Sequence, residues 1–184
     1  MELQNKTCQS ICWYVMRDLK RSNAKLPAYK FLEENRFDVF TPMKWALVEE
    51  HGKKIRKRIP VLPDLLFVRS TRSALDEVVD KLPTLQYRYV RGAYCRPMVV
   101  ADADMDLFLC AVNQTSDPCY YLPEEITPKM YGRMVRIVGG GMDGFEGKLL
   151  TVRGSKRRRL VVSIPSVLSV AIEINPDFVQ LEPI

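Results

Sequence analysis

The sequence predicts an α+β domain, an antiparallel sheet with flanking helices, followed by a small all-β barrel. Three observations carry this expectation. Short apolar runs alternate with stretches of helical spacing as far as residue 113, and residues 115–129 then hold Pro118, Pro123 and Pro128 among Ser, Asp and Glu. Beyond them the chain changes to five short β-type runs separated by Gly, Ser and Asn-Pro signals. A chain of 184 residues accommodates one ordinary domain of about 100 to 150 residues and a smaller one. The domains are expected at 1–114 and 130–184, joined by a linker at 115–129.

Residues 11–16 form a compact apolar and aromatic run closed by Arg17-Asp18, too short for a typical helix, and read as a buried strand. From residue 23 to 35, Leu26, Ala28, Tyr29, Phe31 and Leu32 fall near helical spacing, and Pro27 is tolerated because it lies in the first turn. A second strand at 37–40 closes on Thr41-Pro42. Two runs at 44–48 and 53–59 then flank the charged tip Glu49-Glu50-His51-Gly52 and read as a protruding basic hairpin. Residues 65–68 make an apolar core strand. Ser73, with Asp76 three positions on, marks the start of a second helix that runs to Leu82 and stops at Pro83. Residues 86–91 alternate as a strand, and Asp102 or Asp104 caps a third helix with an apolar face of Met105, Phe108, Leu109 and Val112. In the second domain strands are expected at 134–138, 148–152, 160–164, 170–174 and 178–181. Their β-branched residues, among them Val161, Val162, Val167, Val170 and Ile172, favour a stable barrel.

Composition narrows the function classes. With 47% hydrophobic and 27% charged residues and no apolar run near the roughly 18 needed to cross a bilayer, the chain reads as a soluble folded protein. Residues 1–10 are polar and lack a signal-peptide core, so a cytoplasmic location is expected. The net charge of +6 suits an anionic neighbour, although so mild an excess also occurs on surfaces that bind nothing. Cys8, Cys12, Cys95, Cys110 and Cys119 contain no Cys-x-x-Cys pair, and an odd number fits neither a disulfide framework nor a zinc site. Reduced, mostly buried thiols are expected. His51 is the single histidine and stands in a turn-like stretch, which disfavours Ser/His or Cys/His chemistry. There is no Walker loop and no G-x-G-x-x-G, and Gly139-Gly140-Gly141 leads into a turn and strand rather than a helix. Neither an enzyme nor a cofactor or metal site is expected.

Several segments, in order, resemble the NusG family. Trp13-Tyr14-Val15 is similar to that family's opening strand, and Val39-Phe40-Thr41-Pro42 to its second strand. Leu62-Pro63-Asp64-Leu65-Leu66-Phe67-Val68 resembles its Phe-Pro-Gly-Tyr-type core strand, and Arg91-Gly92 and Arg96-Pro97 precede a comparable acidic helix start at Asp102 and Asp104. Residues 132–137 with Gly140, Phe145, Glu146 and Gly147 resemble a KOW motif, and the chain ends on a matching Val179-Gln180-Leu181-Glu182 segment. The resemblance spans nearly the whole chain and implies an NGN-like N-terminal domain and an SH3-like KOW barrel. The short N-terminal extension, the Leu-Pro core strand and the short basic hairpin are most similar to the UpxY-type antiterminators of Bacteroides-like bacteria, which serve capsular polysaccharide operons.

The resemblance implies a transcription elongation or antitermination factor without catalytic activity, acting as a monomer. In the family a hydrophobic concavity on the first domain receives the clamp helices of the largest RNA polymerase subunit, and by position Tyr14, Arg17, Leu62, Pro63 and Leu65 lie in or beside it. Asp64 stands where the family has a small residue and Leu65 where it has tyrosine, which removes polar and stacking contacts. Trp13, Phe67 and Val68 read as core, because alternate strand residues face inward, whereas Leu62 and Leu65 fit core or surface equally. Lys53, Lys54, Arg56, Lys57 and Arg58, next to His51, place five cations within six residues, enough to reach the phosphates of upstream or non-template DNA. A solvated charged turn explains the same run equally well. Related KOW domains bind a small-subunit ribosomal protein or the Rho termination factor through an aromatic loop and a neighbouring hairpin, where this chain has Met142, Phe145, Val167 and Leu168. Pro165 and the residues after it are apolar where the family is not. Lys156, Arg157, Arg158 and Arg159 form a second basic run, but strand alternation sends only every second one to the same face. Gly140, Gly144 and Gly147 read as turn or close-approach glycines. The competing reading is an RNA-binding or ribosome-associated KOW protein whose basic residues contact RNA without polymerase. A small enzyme rests only on scattered Asp and Glu residues.

Overall fold

The computed structural model describes residues 10–20, 26–115, 118–151, 159–174 and 180–183, and the chain divides into two compact units, Met1–Asp102 and Ala103–Ile184. The first unit is built on β1 (Cys12–Asp18), which lies at the centre of an antiparallel sheet. β5 (Leu65–Ser70) pairs along its whole length, with Val15 opposite Phe67 and Arg17 opposite Leu65. β2 (Asp38–Phe40) extends the sheet beyond β5, while β6 (Leu85–Tyr87) and β7 (Val99–Val100) pair with the other side of β1. The uninterrupted apolar runs of β1 and β5 follow from this central position, because a strand covered on both faces has no polar side. Val15, Met16, Phe67 and Val68 are fully buried, and each contributes on the order of 1.5–3 kcal/mol of burial.

Strand alternation separates two faces. On one, Tyr14, Met16, Leu66, Val68, Leu85 and Tyr87 pack with Ala28 and Leu32 of α1 (Ala28–Glu34) and Leu75 of α2 (Arg72–Lys81). The other carries Trp13, Val15, Leu65 and Phe67, with Phe40 stacked at a tilt 6.0 Å from Phe67. Between β2 and β5 the chain makes a separate hairpin of β3 (Met43–Glu50) and β4 (Lys53–Pro60). Its two-residue turn places His51 and Gly52 at φ 53° and 74°, the conformation that matches the twist of paired strands.

Helix ends differ from the expected ones for identifiable reasons. Residues 23–25 of the expected first helix lie outside the described residues; α1 begins at Ala28 with Pro27 in extended conformation before it. Proline has no side-chain acceptor, and the buried Asp18 at the end of β1 supplies one: its Oδ2 accepts from the Ala28 amide at 2.7 Å. α1 closes with Arg36 in the left-handed region at φ 62°, the Arg36 amide bonded to the Glu33 carbonyl and the Phe37 amide to the Leu32 carbonyl. This double bond pattern selects glycine at the left-handed position. Arg36→Gly is therefore expected to stabilise the protein by about 1 kcal/mol, read as a raised midpoint in chemical denaturation. In α2 the cap is Thr71 rather than Ser73: Thr71 is extended and its side chain accepts from the Ala74 amide at 3.3 Å. The strand expected at 86–91 stops at Tyr87 and continues only as a Tyr89–Pro97 bridge.

The second unit opens within α3 (Asp102–Asn113), where Met105, Phe108, Ala111 and Val112 are buried and the expected Leu109 is only half-buried. Residues expected as an unstructured linker include β8 (Cys119–Tyr121), which pairs with β12 (Leu168–Glu173), and Ile126, buried against Leu150, Val161 and Ala171. Pro118 and Pro123 flank that strand instead of interrupting it, so the prolines did not preclude pairing. The tilted Phe108–Tyr120 ring pair, 6.4 Å between centroids, packs α3 against β8 within this unit.

β9 (Tyr131–Val138), β10 (Glu146–Leu150), β11 (Arg159–Ile164) and β13 (Gln180–Pro183) complete a six-stranded antiparallel sheet in the order β13-β9-β10-β11-β12-β8. Val152 and Phe178, expected strand residues, lie outside the described residues, as do Cys8 and the basic residues Lys156, Arg157 and Arg158. Cys12, Cys110 and Cys119 are half-buried free thiols, and Cys95 is exposed, so the thiols are less buried than expected. No helix among the described residues is long and apolar enough to cross a membrane.

Candidate functional site

The expected polymerase-binding residues do not share a surface. Tyr14 is 5% exposed and packs edge-on to Tyr87 at 5.7 Å beneath α1 and α2. Leu65 is 1% exposed on the opposite face of the sheet. Both are core residues, because the central strands β1 and β5 are covered on both sides, and this corrects their assignment to a binding surface. What remains accessible is the turn before β5, where Leu62 is half-buried and Pro63 exposed, beside the exposed Arg17.

Asp64 organises this turn. Its Oδ2 lies 3.4 Å from Arg17 Nε and 3.3 Å from Arg88 Nη2, and its carbonyl accepts the Asp18 amide at 3.1 Å. The carboxylate thus joins the ends of β1, β5 and β6. With the three side chains 29–48% exposed, the pairs contribute at most about 1 kcal/mol each and act chiefly by orienting the arginines. Arg88, which sequence reasoning missed, could be found only once register brings residue 88 beside Val15.

The hairpin splits its five cations. Register puts Trp45 opposite Arg58, Leu47 opposite Arg56 and Glu49 opposite Lys54 on one face, and Val48 opposite Ile55 and Glu50 opposite Lys53 on the other, the face of Lys57. Lys57 is occupied: its Nζ donates to Glu50 Oε1 at 2.6 Å, which holds the Glu50 carboxyl below its ordinary range. The first face therefore carries Lys54, Arg56 and Arg58 with two exposed apolar side chains, Trp45 (43%) and Leu47 (73%). The Arg56 guanidinium sits 4.6 Å from the Trp45 ring centroid. Sequence reasoning passed over Trp45, although the alternation Trp45-x-Leu47 against Arg56-x-Arg58 was visible.

In the second unit Met142 (8% exposed), Val167 (3%) and Leu168 (1%) are core residues, which corrects their assignment to a partner site, and only Phe145 of that set is partly accessible. Its loop is rigidly tied, since the Ile137 amide bonds to the Phe145 carbonyl and the Gly139 amide to Asp143 Oδ1. Gly140 and Gly144 sit at φ 73° and 81°, as turn glycines should. The basic run contributes Arg159 alone among the described residues, on β11 within 3.5 Å of the Tyr121 hydroxyl. No group of three or more His, Cys, Asp or Glu side chains gathers as a metal site among the described residues.

No curated protein matches the chain. Among solved structures it is similar to NusG of Thermotoga maritima, described under "Domain interaction in Thermotoga maritima NusG", at 15% identity over 93% of this chain and 97% of that one, with a TM-score of 0.45 that decides nothing alone. Residues 11–109 match the family described as "Transcription termination factor nusG". That match covers more than half of the chain and contains the whole sheet of the first unit, the Asp64 turn and the hairpin, and on it the chain belongs to the NusG family.

Proposed function

We propose that this protein is a transcription elongation and antitermination factor that binds RNA polymerase through its first unit and recruits a partner through its KOW-like second unit. The observation that carries the reading is the family match over residues 11–109. The polymerase contact is assigned to Arg17, Leu62 and Pro63, with Arg88 and Asp64 fixing their surroundings, and the clamp helices of the largest subunit are the proposed partner. Lys54, Arg56 and Arg58 on the hairpin contact nucleic acid near the elongation complex. Phe145 is the remaining contact residue for a ribosomal protein or Rho. Such a factor works in the cytoplasm as a monomer and performs no catalysis. The similarity of the Leu62-Pro63 strand to UpxY-type antiterminators supports service to capsular polysaccharide operons.

Co-isolation tests the reading. Tagged full-length chain is expected to retain RNA polymerase, and Leu62→Asp with Pro63→Asp is expected to reduce retention tenfold or more, because two carboxylates desolvated at an apolar interface cost several kcal/mol. Both positions are accessible, so unchanged thermal unfolding is expected of this variant. Retention of ribosomes without polymerase would instead establish the competing RNA-binding reading.

A further inference from the structure

We propose that residues 118–130 form a strap that guards the edge of β12, and that β12, once the strap is displaced, pairs antiparallel with β12 of a second copy of this chain. The proposal concerns the second unit alone and goes beyond its partner-recruiting role: the strap is what keeps the chain a monomer.

An edge strand offers its amides and carbonyls to any neighbouring strand unless charge, proline or a cover blocks it. With β8 set aside, the second sheet ends on β13 and β12, and the two ends are protected differently. β13 carries its own guards, Glu182 and Pro183. β12 has neither charge nor proline from Leu168 to Ile172, and every one of these residues is buried. β8 fills its open side, with Tyr121 opposite Ser169, Tyr120 opposite Val170 and Cys119 opposite Ala171. The same segment covers a face. Alternation and register put Leu150, Val161 and Ala171 on one side of β10, β11 and β12, away from Leu160, Val162 and Val170. An antiparallel sheet with one apolar side commonly leaves the other to water, yet these three residues are buried too, beneath Ile126 with Cys119, Tyr121 and Met130 packed beside it.

The strap is lightly held. β8 is a three-residue strand, whereas β11 and β12 pair over six residues. Pro118, Pro123 and Pro128 have no amide with which to extend the ladder. The Leu122, Glu125 and Met130 amides bond to Glu125, Leu122 and Thr127 of the strap itself, not to the sheet. Ile126 is buried among exposed residues at 124, 125, 127, 128 and 129. Release also breaks the Phe108–Tyr120 ring pair and the bond from the Thr151 amide to the Met130 carbonyl. A segment so held opens locally while the strands beneath it stay paired.

The uncovered edge fits itself. Paired antiparallel across a two-fold axis at Val170, two copies of β12 set Leu168 opposite Ile172 and Ser169 opposite Ala171. Apolar side chains then meet on both faces, and Glu173 falls opposite Val167, so no like charges meet.

Ile126→Asp with Tyr121→Asp places two carboxylates on the apolar face and is expected to release the strap in the full-length chain. Light scattering after size exclusion should then show a concentration-dependent dimer, with association at least about tenfold tighter than in the monomeric wild type. Amide exchange should become fast at 119–121 while β9, β10 and β11 keep their protection. A free peptide of residues 118–130 should return the variant to monomer, and Ala171→Lys added to it should do the same by placing a cation on the edge. A variant that stays monomeric with the strap released, protection lost throughout β9–β11, or protection retained at 119–121 would each overturn the proposal, as would a dimeric wild type. None of these measurements involves polymerase, so their failure leaves polymerase binding standing.

Discussion

Leu65→Glu is expected to unfold the first unit rather than to block a binding surface. Leu65 is 1% exposed, so a carboxylate at 65 loses its water, and its cross-strand neighbour Arg17 is shared with Asp64. An uncompensated buried charge costs roughly 3–5 kcal/mol, a large share of the about 5–15 kcal/mol that holds a domain together. Amide exchange over β1 and β5 should lose its protection, and the denaturation midpoint should fall sharply. A Leu65→Glu chain with native exchange would mean that this face opens to solvent and would return Leu65 to the binding surface.

Gly147→Val is the second large effect, and it acts on the other unit. A Cβ on Gly147 would stand 2.9 Å from the Val161 carbonyl oxygen and 3.0 Å from Leu160 Cδ1. The first of these is backbone of the neighbouring strand β11 and cannot rotate away, so β10 and β11 must separate. Overpacking of this kind costs roughly 1–3 kcal/mol, with the branched valine at or above the upper end. Protection is expected to fall across β9, β10 and β11, while that of β1 and β5 is retained. Full protection of β10 in the variant would contradict the close approach.

The order of elements was legible because each carries its own local signal. β1 and β5 are unbroken apolar runs, the hairpin has a His51-Gly52 turn between paired strands, and α2 ends before Pro83. The strands at 99–100 and 119–121 were missed because two or three residues give no periodicity, and the second sits between prolines that suggest coil. Site residues were legible by type and not by side. Tyr14 and Leu65 were grouped on the family's motif, yet alternation and register put them on opposite faces, and register is a long-range property. Burial of Val167 and Leu168 likewise depends on how the β11–β12 turn folds over. The hairpin cations were found, but their division into an occupied and a free face required Glu50 to be seen beside Lys57, and Trp45 gained meaning only as their neighbour.

The most direct test of the central claim is single-round transcription by purified RNA polymerase with and without the full-length chain. The account expects the chain to comigrate with the halted elongation complex and to change pause lifetimes and terminator read-through, and expects Leu62→Asp with Pro63→Asp to lose both effects together. Unaltered pausing and termination at saturating chain, with no comigration, would contradict it.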